Sequence, residues 1–165
     1  PALGYVMIIV LINDFMLEPV IEIVTKTPVD ISSLDFLRGN IPNTLLFLLI
    51  MWVTAAFGEE FFYRGYMMNR LGHILGNKGY SWITAALLSS LAFGLAHAYQ
   101  GISGMITTGM IGLFLAWAFY KNRSRLLVGI LAHGIYDTYG ILLIFFEKEL
   151  VVKKMMIEIY TSIIQ

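Results

Sequence analysis

Four apolar stretches, residues 41–57, 80–96, 101–120 and 126–146, each reach or approach the length of about 20 helical residues that crosses a hydrocarbon core. A further apolar stretch, Ala2–Ile12, opens the chain. A chain of 165 residues that is 58% hydrophobic and 13% charged, with mean hydropathy +0.76, carries more apolar surface than a soluble domain of that length hides. The expected fold is all-α: a polytopic transmembrane bundle of about five helices. The chain opens on Pro1 rather than Met, and no basic segment precedes residues 2–12, so a clipped membrane helix is expected there rather than a signal peptide.

Three regions follow. Residues 1–40 hold the truncated first helix and an acidic extracytoplasmic loop, residues 41–146 form the membrane core, and residues 147–165 form a tail ending in an expected interfacial amphipathic helix. The segment from Asp14 to Arg38 carries Asp14, Glu18, Glu22, Asp30 and Asp35 against Lys26 and Arg38. Basic residues collect instead at 64–79 (Arg64, Arg70, Lys78) and at 121–125 (Lys121, Arg123, Arg125). These two connections share a side if each stretch crosses once, and positive charge retained inside places both in the cytoplasm of a cell-membrane protein. The formal net charge of zero argues against nucleic acid. The lack of cysteine excludes disulfides, thiolate zinc sites and thiol nucleophiles.

Against this background a few ionisable residues stand out: Glu59, Glu60 and Arg64 in GEEFFYRG, His97 in FGLAH, and His133 with Asp137 in HGIYD. Such residues are costly in a membrane, by about 2.5–3.5 kcal/mol each on insertion scales, and usually face a bundle interior. Glu60 and Arg64 are four apart with the acid first, the favourable order for an ion pair. Glu59 points about 100° away around the helix and is free for other work. Asp137, four residues after His133, is spaced to orient the imidazole. Two carboxylates and two histidines, with a third carboxylate held by arginine, make a general-base and oxyanion set inside the bundle.

Helical rise sets a condition on this site. If the second helix ends at Phe57, Glu59 and His97 lie at opposite faces of the membrane. If it runs on to about Leu71, Glu59 lies about 18 Å above its inner end, His97 about 25 Å up and His133 and Asp137 about 17–23 Å up, all in one layer. The site therefore requires a long second helix with Arg64 buried in it. The bland readings are a structural ion pair at Glu60–Arg64, an interfacial histidine at His97 and a packing hydrogen bond at His133–Asp137.

The three motifs, in this order and each on an apolar stretch, resemble those of the CAAX prenyl protease and bacteriocin-processing (CPBP) family of intramembrane glutamate proteases. That pattern is a paired Glu with Arg five residues after the first, then Phe-x-x-x-His, then His-x-x-x-Asn or Asp. The resemblance implies that Glu59 and His97 activate water, that His133 and Asp137 stabilise an oxyanion, and that Glu60 and Arg64 support the site. It also implies metal-independent cleavage without a cofactor, on a membrane peptide or lipidated protein substrate. Position 137 carries Asp where prenyl-protein-processing members have Asn, and an ionised Asp donates no hydrogen bond. Asp137 is then either protonated or an orienting partner of His133. Rival readings are a zinc protease using His97, His133 and a Glu, a rhomboid-like serine protease with Ser103 of GISG and His133, a non-catalytic membrane adaptor or immunity protein, and a transporter relaying protons through Glu59 and Asp137.

Overall fold

The computed structural model describes residues 1–122 and 125–164; Arg123 of the basic link lies outside the described residues. Helix α1 covers residues 2–25 as three contiguous stretches, Ala2–Ile9, Val10–Leu17 and Glu18–Thr25. Helix α2 is Ile41–Ile74, α3 Gly79–Ala96, α4 Gly101–Lys121, α5 Leu126–Phe145 and α6 Glu149–Ile164. A short 3-10 turn, Ser32–Leu37, lies between α1 and α2, and another, Ala98–Gln100, between α3 and α4. Among the described residues there is no strand, and α2 to α5 are each long and apolar enough to cross a membrane.

The second helix is long. Its N-terminus is capped by the Asn40 side chain, which accepts from the Asn43 backbone N–H, and its one proline, Pro42, sits in the first turn where no donor is lost. No breaker follows until Gly76 and Asn77, both at positive φ, so the helix spans 34 residues. Over Trp52–Met68 it winds in the wider i→i+5 form, a geometry that often accompanies functional residues in helices. Arg64 consequently lies inside a helix and is fully buried, so it is not a connecting-loop charge as its place in 64–79 implied. The basic residues left at that end of the helix pair are Arg70 and Lys78.

The acidic segment also differs from a plain loop. Helix α1 does not stop near Ile12 but continues to Thr25 and ends where Lys26 turns left-handed. The reason is tertiary: Asn13 is fully buried, and Asp14 accepts a 2.6 Å hydrogen bond from the Tyr136 hydroxyl of α5. Polar residues that would end a lone apolar helix are thus satisfied by a neighbour. What remains as irregular connection is the strap 26–40. Arg38 ties it down by ion pairs to Asp35 and to Glu149 at the start of α6.

Three apolar clusters surround the polar layer. Val6 and Ile9 of α1 meet Ile111 and Leu115 of α4 and Ala132 of α5. Met51 and Ala56 of α2 meet Ile141 and Ile144 of α5 under Leu37 of the strap. Met68, Ala85, Ala116 and Phe119 join α2, α3 and α4. The outward face is apolar too: Ile83, Leu87, Leu91 and Leu95 form an exposed stripe at four-residue spacing along α3.

Close helix contacts rest on glycine. A Cβ at Gly94 would stand 2.5 Å from the Met105 carbonyl of α4, and one at Gly134 would stand 2.5 Å from the Trp52 ring of α2. Small residues of this kind let membrane helices approach backbone to ring. Gly134→Ala should therefore lower the stability of the detergent-solubilised protein by about 1–3 kcal/mol, whereas Gly140→Ala on the same helix, with nothing near its Cβ position, should leave the thermal midpoint in place. Equal midpoints for the two variants would show that α2 and α5 are not packed this closely.

Candidate active site

The deepest element is the pair that sequence spacing had joined. Glu60 and Arg64 are both fully buried, with Arg64 Nη1 donating to Glu60 Oε1 at 2.6 Å. Arg64 Nη2 donates to the Gly112 carbonyl of α4 at 2.9 Å, and its guanidinium carbon stands 4.6 Å from the Phe93 ring centroid of α3. A charge in such surroundings is tolerable only when paired and hydrogen-bonded. The other side of Glu60 faces α5: a Cβ at Gly129 would come within 2.6 Å of Glu60 Oε2. Gly129, His133 and Asp137 recur every four residues, so one face of α5 presents a gap for Glu60, then the imidazole, then the carboxylate.

His133 sits among three carboxylates. Its Nδ1 lies 3.3 Å from Glu60 Oε1, and its Nε2 lies 3.4 Å from Asp137 Oδ2 and 3.9 Å from Glu59 Oε2. These are ion-pair separations. The His133 side chain is 6% exposed, while those of Glu59 and Asp137 are 31% and 26% exposed. Adjacent residues on α2 therefore occupy different surroundings: Glu60 faces the sealed interior, and Glu59 faces open space.

That space is a cavity of about 1370 Å³ whose lining includes Glu59, Phe93, His97, Thr107, His133 and Asp137, with strap residues 28–35 forming another wall. Helix α2 runs past Arg64, and Glu59, His97, His133 and Asp137 line this one cavity. His97 caps the end of α3, and its Nδ1 makes a 2.8 Å hydrogen bond to the Phe93 carbonyl. A carbonyl only accepts, so Nδ1 carries a hydrogen and Nε2 is the ring nitrogen left to meet other groups. Phe93 ties the layer together: its ring is 4.8 Å from that of His97 and packs edge-on to His133 at 5.9 Å.

Sequence reasoning did not assign parts to Phe93, Gly112 or Gly129. Phe93 was visible as the first letter of its motif, and Gly129 as the residue one turn before His133. The Gly112 carbonyl left no signal, since any residue has a carbonyl. Ser103 takes a structural part: fully buried, its hydroxyl donates to the Thr27 carbonyl at 2.6 Å and meets the Thr25 hydroxyl at 2.6 Å, joining α4 to the end of α1. It is not among the residues lining the cavity. Among the described residues, no three His, Asp or Glu side chains form a metal-holding group.

Residues 41–139 match the family model described as type II CAAX prenyl endopeptidase Rce1-like. The chain belongs to this family. The match spans α2 through most of α5, and so contains every residue of the cluster just described. An uncharacterized 24.3 kDa protein of Escherichia coli is 31% identical over 110 residues, which cover 65% of this chain and 48% of that protein. The chain thus matches about half the length of this relative. No solved structure matches it. Rce1-like membership together with four membrane-capable helices makes this a membrane protein of a peptidase family.

The buried pair generates a stability prediction. Arg64→Leu should cost on the order of 3–5 kcal/mol by removing the guanidinium partner of the buried Glu60, while Glu60→Leu with Arg64→Leu should recover much of that loss. Thermal or denaturant unfolding in detergent measures both; a single variant as stable as the parent would mean that the pair is not buried in the folded protein.

Proposed function

We propose that this chain is an intramembrane endopeptidase in which Glu59 and His97 activate a water and His133 stabilises the oxyanion, without metal or cofactor. The observation that carries this reading is the convergence of Glu59, His97, His133 and Asp137 on one cavity enclosed by apolar helices.

In this reading a water donates one hydrogen bond to Glu59 and the other to Nε2 of His97, which turns an oxygen lone pair toward the substrate carbonyl. Glu59 takes the proton as the oxygen–carbon bond forms. The negative oxygen of the tetrahedral intermediate develops beside His133, whose Nδ1 is steadied by Glu60 and whose Nε2–H donates to it. As the carbon–nitrogen bond breaks, Glu59 returns the proton to the leaving amine, and one new carboxyl and one new amine are released. Asp137 stands 3.4 Å from the same Nε2 and orients the ring before the intermediate forms, giving up that N–H to the oxyanion as it develops; this part needs no donor from Asp137. Glu60 and Arg64 hold His133 and α2 in place. The substrate is a membrane peptide or a lipidated protein, reached in a cell membrane with the α2–α3 and α4–α5 turns on the cytoplasmic side.

Cleavage of a membrane-peptide library by the detergent-purified protein tests the mechanism. Glu59→Gln should lower turnover by at least about a hundredfold with the thermal midpoint unchanged, and a chelator should have no effect on the parent. Chelator-sensitive cleavage would assign the reaction to a metal enzyme, and full activity in Glu59→Gln would remove Glu59 from the mechanism. A folded parent that cleaves no peptide while retaining its effect in cells would favour the adaptor reading.

Because the chain has no cysteine, single cysteines report the orientation. An impermeant maleimide should label Ser33→Cys in intact cells and Leu75→Cys only after permeabilisation; the reverse pattern would invert the topology.

A further inference from the structure

Apart from the His133 imidazole, which stands against Glu59 and Asp137, the charged groups lining the cavity are mostly acidic. Its lining takes Asp14 from α1, Asp30 from the strap, Glu59 from α2 and Asp137 from α5, and none of these makes an ion pair with lysine or arginine among the described residues. The described lining residues include one such cation, Lys154, 80% exposed on α6 and 4.0 Å from Glu158. The strap cation Arg38 is engaged by Asp35 and Glu149. Thr107 adds a different signal. It is 4% exposed, lines the cavity, and its hydroxyl has no hydrogen-bond partner. A peptide group of a bound chain supplies both a donor and an acceptor for such a hydroxyl.

We propose that this cavity takes an internal peptide segment bearing lysine or arginine near the scissile bond, and that Asp30 on the strap is a specificity-determining residue that reads this charge. The proposal rests on the endopeptidase reading above and names its substrate class. A cleft lined by one sign of charge between low-dielectric walls concentrates the opposite sign and rejects its own. Among the described lining residues no lysine or arginine is buried to meet a chain-terminal carboxylate, and the buried His133 is already flanked by Glu59, Glu60 and Asp137, so a segment inside a chain fits better than a chain end. Asp30 is well placed for the task. Its backbone N–H donates to the Gln100 carbonyl at 3.0 Å, which fixes the strap against the turn before α4. Its carboxylate accepts from the Ser32 backbone N–H at 2.9 Å, and hydrogen bonds from Ser32 hold its carboxyl below the usual range, so it is charged at neutral pH. Asparagine at this position retains an acceptor for Ser32 and removes only the charge.

The test uses peptides of one apolar core with four lysines, four glutamines or four glutamates flanking it, in detergent. Cleavage is measured on the parent, Asp30→Asn and Asp30→Lys, and binding by fluorescence anisotropy on Glu59→Gln with and without the same changes. The lysine peptide should be preferred over the glutamate peptide by at least about tenfold in kcat/KM and in binding, with the ratio falling toward one in Asp30→Asn and below it in Asp30→Lys. Cleavage with no charge preference would overturn this proposal and leave the peptidase reading intact. Charge-selective binding without cleavage by the parent would retain it and count against the peptidase reading. A preference that survives Asp30→Lys with the strap still folded would remove Asp30 from the role.

Discussion

Most of what holds this molecule in register passes through the ion pair between Glu60 and Arg64. Taking two charges out of water costs several kcal/mol per ion, and a single contact between them does not offset it. Here the guanidinium is further satisfied by the Gly112 carbonyl and the Phe93 ring, and the carboxylate lies against Gly129 and His133. Those partners come one or two each from α3, α4 and α5. The demand of one buried pair for complete solvation by protein therefore fixes the four long helices relative to one another at a single depth. The apolar clusters around it supply area but not register, because apolar contacts between helices are nearly as good against lipid.

The site is the outward extension of that pair. Adjacent carboxylates on one helix point into different media: Glu60 into a sealed, paired interior, Glu59 into the cavity. Carboxylates separated in this way are suited to different work, one to hold and one to exchange protons. His133 lies between them, 3.3 Å from Glu60 and 3.9 Å from Glu59, so the support and the proposed chemistry share a residue. Phe93 plays a similar double part by packing on Arg64, His97 and His133 together.

The strap and α1 give the cavity its charge. Asp14 is kept within α1 by Tyr136, three residues after His133, and Asp30 is held by the turn that follows His97. The acidic wall and the candidate catalytic wall are thus built on shared elements. This coupling explains why an acidic segment far away in sequence lines the same space as the membrane motifs.

Much of this was legible in the chain. The apolar stretches determined an all-α membrane bundle, because backbone in lipid must bond to itself. The spacing of Glu60 to Arg64 and of His133 to Asp137 determined which side chains share a helix face, and counting 1.5 Å per residue showed that a site required α2 to continue past Arg64. Spacing within a helix is local, so the sequence carries it. What only the tertiary structure decided were relations between helices: that Gly112 offers its carbonyl to Arg64, that Gly129 leaves room for Glu60, that α1 continues through Asn13 and Asp14, and that the strap's acids line the cavity. Each depends on the rotation of one helix about its axis against another. That rotation is set by packing and by the need to satisfy buried polar groups across the bundle, which no stretch of sequence expresses alone.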